Sequence, residues 1–210
     1  MRLALLLAAV ACACATTGAP RGPRRVDPGA LLDPAGSDFD VMMRQRVTVT
    51  LPDREFHFDA VLQKRGRELT LLGLTPFGTR AFVIQQAGLE VTFTPAQRME
   101  LPFPPRYMML DVQRAFFREG GPPPAADGAR ELTRDGEVLR ETWLGGRVMR
   151  RVYRRASGEP PGEVEVEYEG GMRGRVAPRV VRYRNGFVGY SLTIVTLEQQ
   201  RLDAAAQGTR

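Results

Sequence analysis

The folded part of this 210-residue chain contains no cysteine. Both cysteines, Cys12 and Cys14, lie close to the N-terminus, so a disulfide framework is excluded. Histidine is nearly as scarce, because His57 is the only one. Metal sites built from histidine clusters and Cys–His catalytic pairs are therefore excluded as well. The sequence predicts no metal site.

Motifs for catalysis are also missing. A Ser–His–Asp triad would require His57 to meet Ser157 or Ser191 from a predicted strand. The chain has no G-x-S-x-G, no phosphate-binding glycine loop and no dinucleotide fingerprint. We expect a protein that is not an enzyme and binds no cofactor, with His57 as a polar, outward-facing residue of its strand.

Lysine occurs once, as Lys64, so almost all of the positive charge is arginine. The net charge is +6 and the pI is about 10.0, values that often accompany an anionic partner. Here the arginines are scattered among 24 acidic residues, and we therefore predict no nucleic-acid partner. The densest group, Arg150, Arg151, Arg154 and Arg155, is typical of the solvated face of a strand pair.

Long hydrophobic runs are absent too. The longest apolar stretch at the N-terminus, Leu3–Val10, follows Arg2 and is too short to cross a bilayer, which takes about 20 residues. Small residues and cysteine follow it, a pattern typical of a secretory signal. The segment resembles the lipobox of bacterial lipoproteins, which implies a signal peptide over 1–13 and acylation of Cys14. Cys12 is the alternative site, and an ordinary secretory signal is the alternative reading.

The residue that follows either cysteine is alanine. In enterobacterial lipoproteins, an aspartate at this position looks like a signal for retention in the inner membrane. Because alanine stands here instead, the resemblance to lipoproteins implies lipid anchoring to the periplasmic face of the outer membrane. Residues 14–36 are rich in proline and glycine, which favours a flexible tether after the acylated cysteine. One folded domain is expected over 37–200, starting with a short helix at Ser37 or Asp38, and a flexible tail over 201–210.

Strand signals dominate that domain. Apolar and polar residues alternate in segments bounded by glycine or proline, and each such segment predicts a half-buried antiparallel strand. The dipeptide Asn185-Gly186 predicts a two-residue type I′ hairpin, and 120–129 is predicted to be a loop. The predicted strands are 46–51, 55–63, 68–74, 80–86, 88–94, 137–144, 146–155, 162–170, 176–184 and 187–197.

One segment, 101–121, is predicted to be a helix because prolines precede it and glycines end it. Its apolar stripe contains Met108, Val112, Ala115 and Phe116, with Asp111, Arg114 and Arg118 off the stripe. The predicted fold is mainly β in the α+β class. It is a single, strongly curved antiparallel sheet with one or two helices across its concave face.

The block 60–117 resembles a family of bacterial outer-membrane lipoproteins of unknown function, DUF3261. Its central segment "LLGLTPFG" (71–78) occupies a strand–tip–strand position that is similar to the apolar tip of the LolA and LolB lipoprotein carriers. This resemblance implies a half-barrel with helical lids around an apolar cavity that accepts acyl chains. It also implies that the tip residues Leu74, Pro76 and Phe77 touch membrane or cargo. The alternative is that Leu74 and Phe77 pack beneath a lid.

Burying one CH₂ group is worth about 0.8 kcal/mol, so a lipid leaves a membrane only for a large apolar shelter. We expect a monomer that binds acyl chains, lipid or lipoprotein cargo and helps to transfer or insert them. The alternative is a non-catalytic envelope scaffold or assembly factor that uses the same fold to bind a protein. The expected cavity residues are apolar side chains of the inner face and the helix: Phe56, Phe58, Leu62, Phe82, Phe93, Met108, Val112 and Phe116.

Overall fold

The structure is a computed structural model that describes residues 29–37, 39–96, 101, 103–118 and 120–202. The predictions for the signal peptide, for Cys12 and Cys14, for most of the tether and for the end of the tail lie outside the described residues. Within the described part, the chain forms one open, 11-stranded antiparallel sheet and one α-helix. The mainly β fold and the single antiparallel sheet are thus confirmed.

The strands in the described residues are β1 Val41–Thr50, β2 Glu55–Arg65, β3 Glu68–Leu74, β4 Arg80–Ala87, β5 Glu90–Pro95, β6 Gly128–Arg134, β7 Glu137–Leu144, β8 Arg147–Arg155, β9 Val164–Met172, β10 Val180–Asn185 and β11 Tyr190–Arg201. Strands β1–β5 form an N-terminal meander, and β6–β11 form a C-terminal meander. In the sheet they lie in the order β5-β4-β3-β2-β1-β11-β10-β9-β8-β7-β6, so the first and the last of these strands pair at its centre.

Strand β1 shows why these segments are strands. Every second residue from Val41 to Val49 is buried, and the residues between them are more exposed. This period of two matches a strand and does not match a helix. The short helix expected at Ser37 is therefore wrong; a 3₁₀ turn lies earlier, at Pro34–Gly36, and the chain is already extended at Val41.

Strand β6 was not predicted from the sequence. It pairs with β7 along its whole length, from Gly128 opposite Trp143 to Arg134 opposite Glu137. Most of its side chains are exposed, so it has little apolar alternation to detect. Its pairing depends on backbone hydrogen bonds to β7, and the expected loop over 120–129 ends before Gly128.

The predicted type I′ hairpin after β10 is wrong. Asn185 pairs with Tyr190, so the connection has four residues instead of two. The side-chain Oδ1 of Asn185 accepts hydrogen bonds from the backbone N–H groups of Phe187 and Val188, both at 3.1 Å. Gly189, with φ of 87°, then turns the chain back into β11. An asparagine that caps its own loop in this way favours the longer turn.

The predicted helix over 101–121 is found in a shorter form. The α-helix α1 spans Pro105–Val112, with proline at its first position, and continues as one π-helical turn over Gln113–Phe117. No helix in the described ranges is long and apolar enough to span a bilayer. The helix lies on the inner face of the sheet, where side chains from both meanders contact it.

The segment ahead of β1 packs against this helix. The side-chain amide of Gln113 makes two hydrogen bonds to the backbone of Leu32. Its Oε1 accepts from the N–H of Leu32 and its Nε2 donates to the C=O of Leu32, both at 2.8 Å. Gln86 donates to the same carbonyl at 2.8 Å, and Leu31 is buried. Residues 29–36, the end of the predicted tether, therefore lie against the domain.

Candidate functional site

A cavity of about 530 Å³ lies between α1 and the face of the sheet that α1 covers, the inner face, where β1–β4 and β11 line it. Its volume lies within the range of about 300–1,000 Å³ that is typical of small-molecule sites. The wall is mostly aliphatic and aromatic. Its apolar residues include Val47, Val49, Leu71, Ala81, Leu101, Phe103, Leu192 and Ile194, besides those predicted from the sequence.

Six of the eight expected cavity residues lie on this wall. Sheet and helix contribute three each: Phe56, Phe58, Phe82, Met108, Val112 and Phe116. Leu62 and Phe93 do not lie on the wall. Leu62 has the same orientation as Phe58 on β2, but it is fully buried farther along the strand. Phe93 lies on the edge strand β5, behind Phe82, with 6.3 Å between the ring centroids.

The ring of Phe82 lies directly over Gly73 on the neighbouring strand. A Cβ atom at Gly73 would lie 2.2 Å from Cε1 of Phe82, closer than non-bonded carbon atoms approach. Phe82 also meets Phe58 edge-on, with centroids 5.7 Å apart. Glycine at position 73 thus makes room for the aromatic wall of the cavity.

All charged groups on the wall of the cavity lie at its mouth, where β1 turns into β2. They are Arg54 and Glu55, with the titratable His57 beside them. His57 is exposed, as predicted, and lies 2.9 Å from Thr48 Oγ1 and 3.3 Å from Glu55 Oε1. The mouth is therefore polar, and the interior is apolar apart from Gln45, a distribution that suits an amphipathic ligand.

The apolar tip between β3 and β4 lies at the same end of the sheet. Thr75 N–H donates to Thr79 C=O at 2.8 Å, and Gly78 has φ of 76°, so the tip is a closed turn. Leu74 and Pro76 lie on the cavity wall, whereas the side chain of Phe77 is 92% exposed. The three predicted tip residues therefore divide into two that border the cavity and one that points into solvent.

The other half of the inner face contains several buried charged groups, among them Asp111 and Arg114, which were predicted to lie off the apolar stripe of the helix. Asp111 is 4% exposed and accepts hydrogen bonds from the hydroxyls of Tyr183 and Tyr190. Arg114 is fully buried and pairs with Glu137 of β7. These contacts hold α1 against the C-terminal meander.

Two buried glutamates, Glu137 and Glu141, form ion pairs with the arginines of this region. Glu137 also pairs with Arg118 at 2.6 Å and lies 3.5 Å from Arg155. Glu141 is fully buried and accepts from Arg151 at 2.9 Å. The assignment of Arg151 and Arg155 to a solvated face is thus wrong, because they point to the inner face of β8, whereas Arg150 and Arg154 are substantially exposed.

Burial raises the pKa of Asp111 to about 7, against the lowering effect of Arg114 and the hydrogen bond from Tyr183. The folded protein then binds a proton on Asp111 between about pH 4 and pH 7 that the unfolded chain has released. Stability from this group is present at low pH and is lost as the pH rises through about 7.

We therefore expect that the melting temperature falls between pH 5 and pH 8, and that Asp111→Asn flattens this dependence. Thermal unfolding at both pH values measures it. Asp59→Asn, which changes an exposed carboxylate, is the control and should keep the slope of the wild type. An unchanged slope in Asp111→Asn would assign the pH dependence to another group.

Within the residues that the structure describes, no three histidine, cysteine, aspartate or glutamate side chains come together as a metal site. The described wall of the cavity is largely apolar, with polar groups at the mouth.

Comparison with known proteins places the sequence in one family model. The model described as "Protein of unknown function (DUF3261)" matches residues 42–198. No curated protein matches the chain.

Among solved structures, the chain is similar to a LolA superfamily protein from Nitrosomonas europaea, at 11% identity and a TM-score of 0.43, covering 79% of this chain and 87% of that one. It is similar to a candidate outer membrane lipoprotein-sorting protein domain from Vibrio parahaemolyticus, at 9% identity and a TM-score of 0.46, covering 84% and 89%. A DUF1329 family protein from Desulfovibrio piger is similar at 9% identity and a TM-score of 0.40, also covering 84% and 89%.

Proposed function

This chain belongs to the DUF3261 family of proteins of unknown function, and we propose that it is a non-catalytic envelope protein that binds the acyl chain of a lipid or lipoprotein in its apolar cavity. The sheet serves as a half-barrel that curves around α1. The protein acts as a monomer, anchored through Cys14 to the periplasmic face of the outer membrane, and helps lipid or lipoprotein to move into or out of that membrane.

The cavity is the observation that carries this proposal. It combines about 530 Å³ of space, an aliphatic and aromatic wall, and charges confined to the mouth. At about 0.8 kcal/mol for each buried CH₂ group, such a wall offsets much of the cost of taking an acyl chain out of a bilayer. The exposed Phe77 beside the mouth gives the tip an apolar side chain that can enter the membrane surface.

Lipid that co-purifies with the protein tests the proposal. The full chain is expressed with its signal in a Gram-negative host, purified in mild detergent, and analysed by native mass spectrometry before and after solvent extraction. We expect acyl-containing molecules bound one to a chain, in addition to the covalent anchor. A protein that carries only its anchor and does not take up added fatty acid would favour the scaffold alternative.

The anchor gives a second prediction. Only cysteine sulfur accepts the diacylglycerol group, so Cys14→Ser is expected to release the protein from the membrane into the periplasm. Cell fractionation with detection of the protein measures this, and Cys12→Ser is the matched control that should stay in the membrane. If Cys12→Ser is released and Cys14→Ser is retained, the anchor is Cys12; retention of the double variant would argue against lipidation.

The tip gives a third prediction. Because Phe77 is 92% exposed, Phe77→Glu should change the free energy of unfolding by less than about 0.5 kcal/mol. We expect it to weaken binding to liposomes strongly, since a carboxylate replaces the apolar group that meets the bilayer. Binding is measured by flotation, with protein that lacks the lipid anchor.

Leu144→Glu is the control, since Leu144 is 59% exposed but lies on the other meander. Equal liposome binding by Phe77→Glu and wild type would remove the membrane role of the tip. Leu74→Glu differs from both: Leu74 borders the cavity, so a charge there should lower stability as well as lipid uptake.

A further inference from the structure

One side chain on the cavity wall does not fit an acyl chain that is apolar throughout. Gln45 is only 3% exposed, and it faces the cavity from β1 among valines and phenylalanines. Its Nε2 donates to the sulfur of Met43 at 3.6 Å, which is a weak acceptor. A buried amide in such surroundings costs free energy unless a better hydrogen-bond partner meets it.

A second polar group lies next to this amide. Thr196 of β11 is directly opposite Gln45 in the pairing of β1 with β11, beside a bulge in that ladder. The hydroxyl oxygen of Thr196 is buried, and among the described residues it has no hydrogen-bond partner. Alternation along β11 places Thr196 on the face of Leu192 and Ile194, both of which line the cavity. Two neighbouring groups on the inner face thus have hydrogen-bonding capacity to spare.

The position of this pair along the sheet matters. The mouth lies at the turn from Thr50 to Glu55, and Gln45 is roughly 17 Å from Thr50 at the rise of a strand. Between them the wall is formed by Val47 and Val49 with their apolar neighbours. Gln45 therefore lies at the inner end of an apolar passage, far from the charges of Arg54 and Glu55, and Thr196 lies beside it on the neighbouring strand.

The chemistry of the pair selects the kind of group that it can bind. A glutamine amide and a threonine hydroxyl are neutral, and each can both donate and accept. A carboxylate or phosphate at that depth would need a cation, and every charged side chain on the cavity wall lies at the mouth. The matching group is a neutral one that also donates and accepts, which is a hydroxyl.

We propose that the cavity is specific for acyl chains that carry a hydroxyl group away from the carboxyl end, and that Gln45 and Thr196 bind this hydroxyl. The proposal rests on the proposed function and narrows it to one class of lipid. The acyl carboxyl or ester end stays at the polar mouth, and the methylene groups between it and the hydroxyl lie along the apolar passage.

Three fatty acids of nearly equal size test the proposal: octadecanoic acid, its 12-hydroxy derivative and its 2-hydroxy derivative. The protein is the full chain with Cys12→Ser and Cys14→Ser, so that no anchor competes for the site. Each acid displaces a fluorescent fatty acid at concentrations below micelle formation. In an entirely apolar cavity, either hydroxyl would weaken binding, because it would be buried without a partner.

For the 12-hydroxy acid we expect the hydroxyl group to strengthen binding, not to weaken it. It should bind about fivefold more tightly than octadecanoic acid, the factor that one net hydrogen bond supplies. The 2-hydroxy acid should show no gain, because its hydroxyl stays at the mouth. Gln45→Met and Thr196→Val should each reduce the preference, and the double variant should bind octadecanoic acid at least as tightly as the 12-hydroxy acid.

Matched controls make the same changes on the outer face. Gln63→Met on β2 and Thr193→Val on β11 lie on the opposite side of the sheet and should keep the fivefold preference. Melting curves supply a second readout: Gln45→Met should melt at the temperature of the unliganded wild type or above it, because it removes a poorly paired buried amide.

Equal binding of octadecanoic acid and its 12-hydroxy derivative by wild type would overturn the specificity while leaving the lipid-binding function in place. A preference that survives in the double variant would overturn the role of Gln45 and Thr196. If none of the three acids displaces the probe, both the proposed function and this inference are overturned.

Discussion

Replacing Glu137 by glutamine should lower the free energy of unfolding by about 3–5 kcal/mol, the usual cost of breaking a buried ion pair from one side. Glu137 is 2% exposed and is the shared carboxylate of Arg114, Arg118 and Arg155. Glutamine keeps the shape of the side chain but not its charge, so the three guanidinium groups lose the carboxylate that they share. Chemical denaturation at pH 8 measures the change.

Asp59→Asn is the control for this prediction. Asp59 pairs with Arg46 at 3.0 Å on the outer face, where both side chains are largely exposed, and losing that pair should cost less than about 1 kcal/mol. A Glu137→Gln protein as stable as Asp59→Asn would show that the arginine cluster does not depend on its central carboxylate.

The effect on α1 follows from the same geometry. Arg114 lies in the π-helical turn and Arg118 is the residue that follows this turn, whereas Glu137 belongs to β7. The ion pairs therefore fix the helix to the C-terminal meander, while its other side borders the cavity. A helix held firmly on one side leaves the opposite side, with Met108 and Val112, as the wall that can adjust to a ligand.

The sheet could largely be predicted from the sequence because its signal is local. In β2, phenylalanines at 56 and 58 alternate with polar residues, and this pattern specifies both strand and face. Ten of the eleven strands carry such alternation or a turn signal at their ends. Strand β6 does not, since its exposed residues gain stability from pairing with β7 and not from burial.

The buried charged groups under the C-terminal meander could not be predicted, because their contacts join residues that are far apart in the chain. Asp111 is separated by 72 residues from Tyr183 and by 79 from Tyr190, and it accepts hydrogen bonds from the hydroxyl groups of both. A charged residue beside an apolar stripe is usually solvated, and nothing near it in the chain shows that tyrosines from two distant strands will cover it. Only the antiparallel order of β10 and β11 brings them together.

The cavity could be predicted from the sequence only in part. Alternation identified the face that Phe58, Leu62 and Phe93 share, but it does not specify how far along or across the sheet the cavity reaches. Leu62 and Phe93 therefore lie on the predicted face of the sheet but do not line the cavity. A polar residue in register with that face, Gln45, could have been noticed on β1 once the strand was extended back to Val41.

Phe82→Ala should lower the free energy of unfolding by about 3–5 kcal/mol, as is usual for deleting a buried aromatic ring. Phe82 is 4% exposed and lies between the rings of Phe58 and Phe93, at 5.7 and 6.3 Å. Phe58→Ala should cost less in the unliganded protein, because Phe58 is only partly buried and borders space that is already open. It should instead weaken lipid uptake.

Gly73→Ala tests this prediction, because its effect on stability should reverse in sign when the ring of Phe82 is removed. In the wild type, Gly73→Ala places a methyl group against the ring of Phe82 and should cost about 1–3 kcal/mol through overpacking. In the Phe82→Ala protein the ring is gone, and alanine should stabilise the strand by about 0.5–1 kcal/mol relative to glycine. Denaturation curves of the four proteins form a double-mutant cycle. Costs of Gly73→Ala that are equal in both backgrounds would show that Phe82 does not occupy the space above Gly73, and the aromatic wall of the cavity would then lose its central contact.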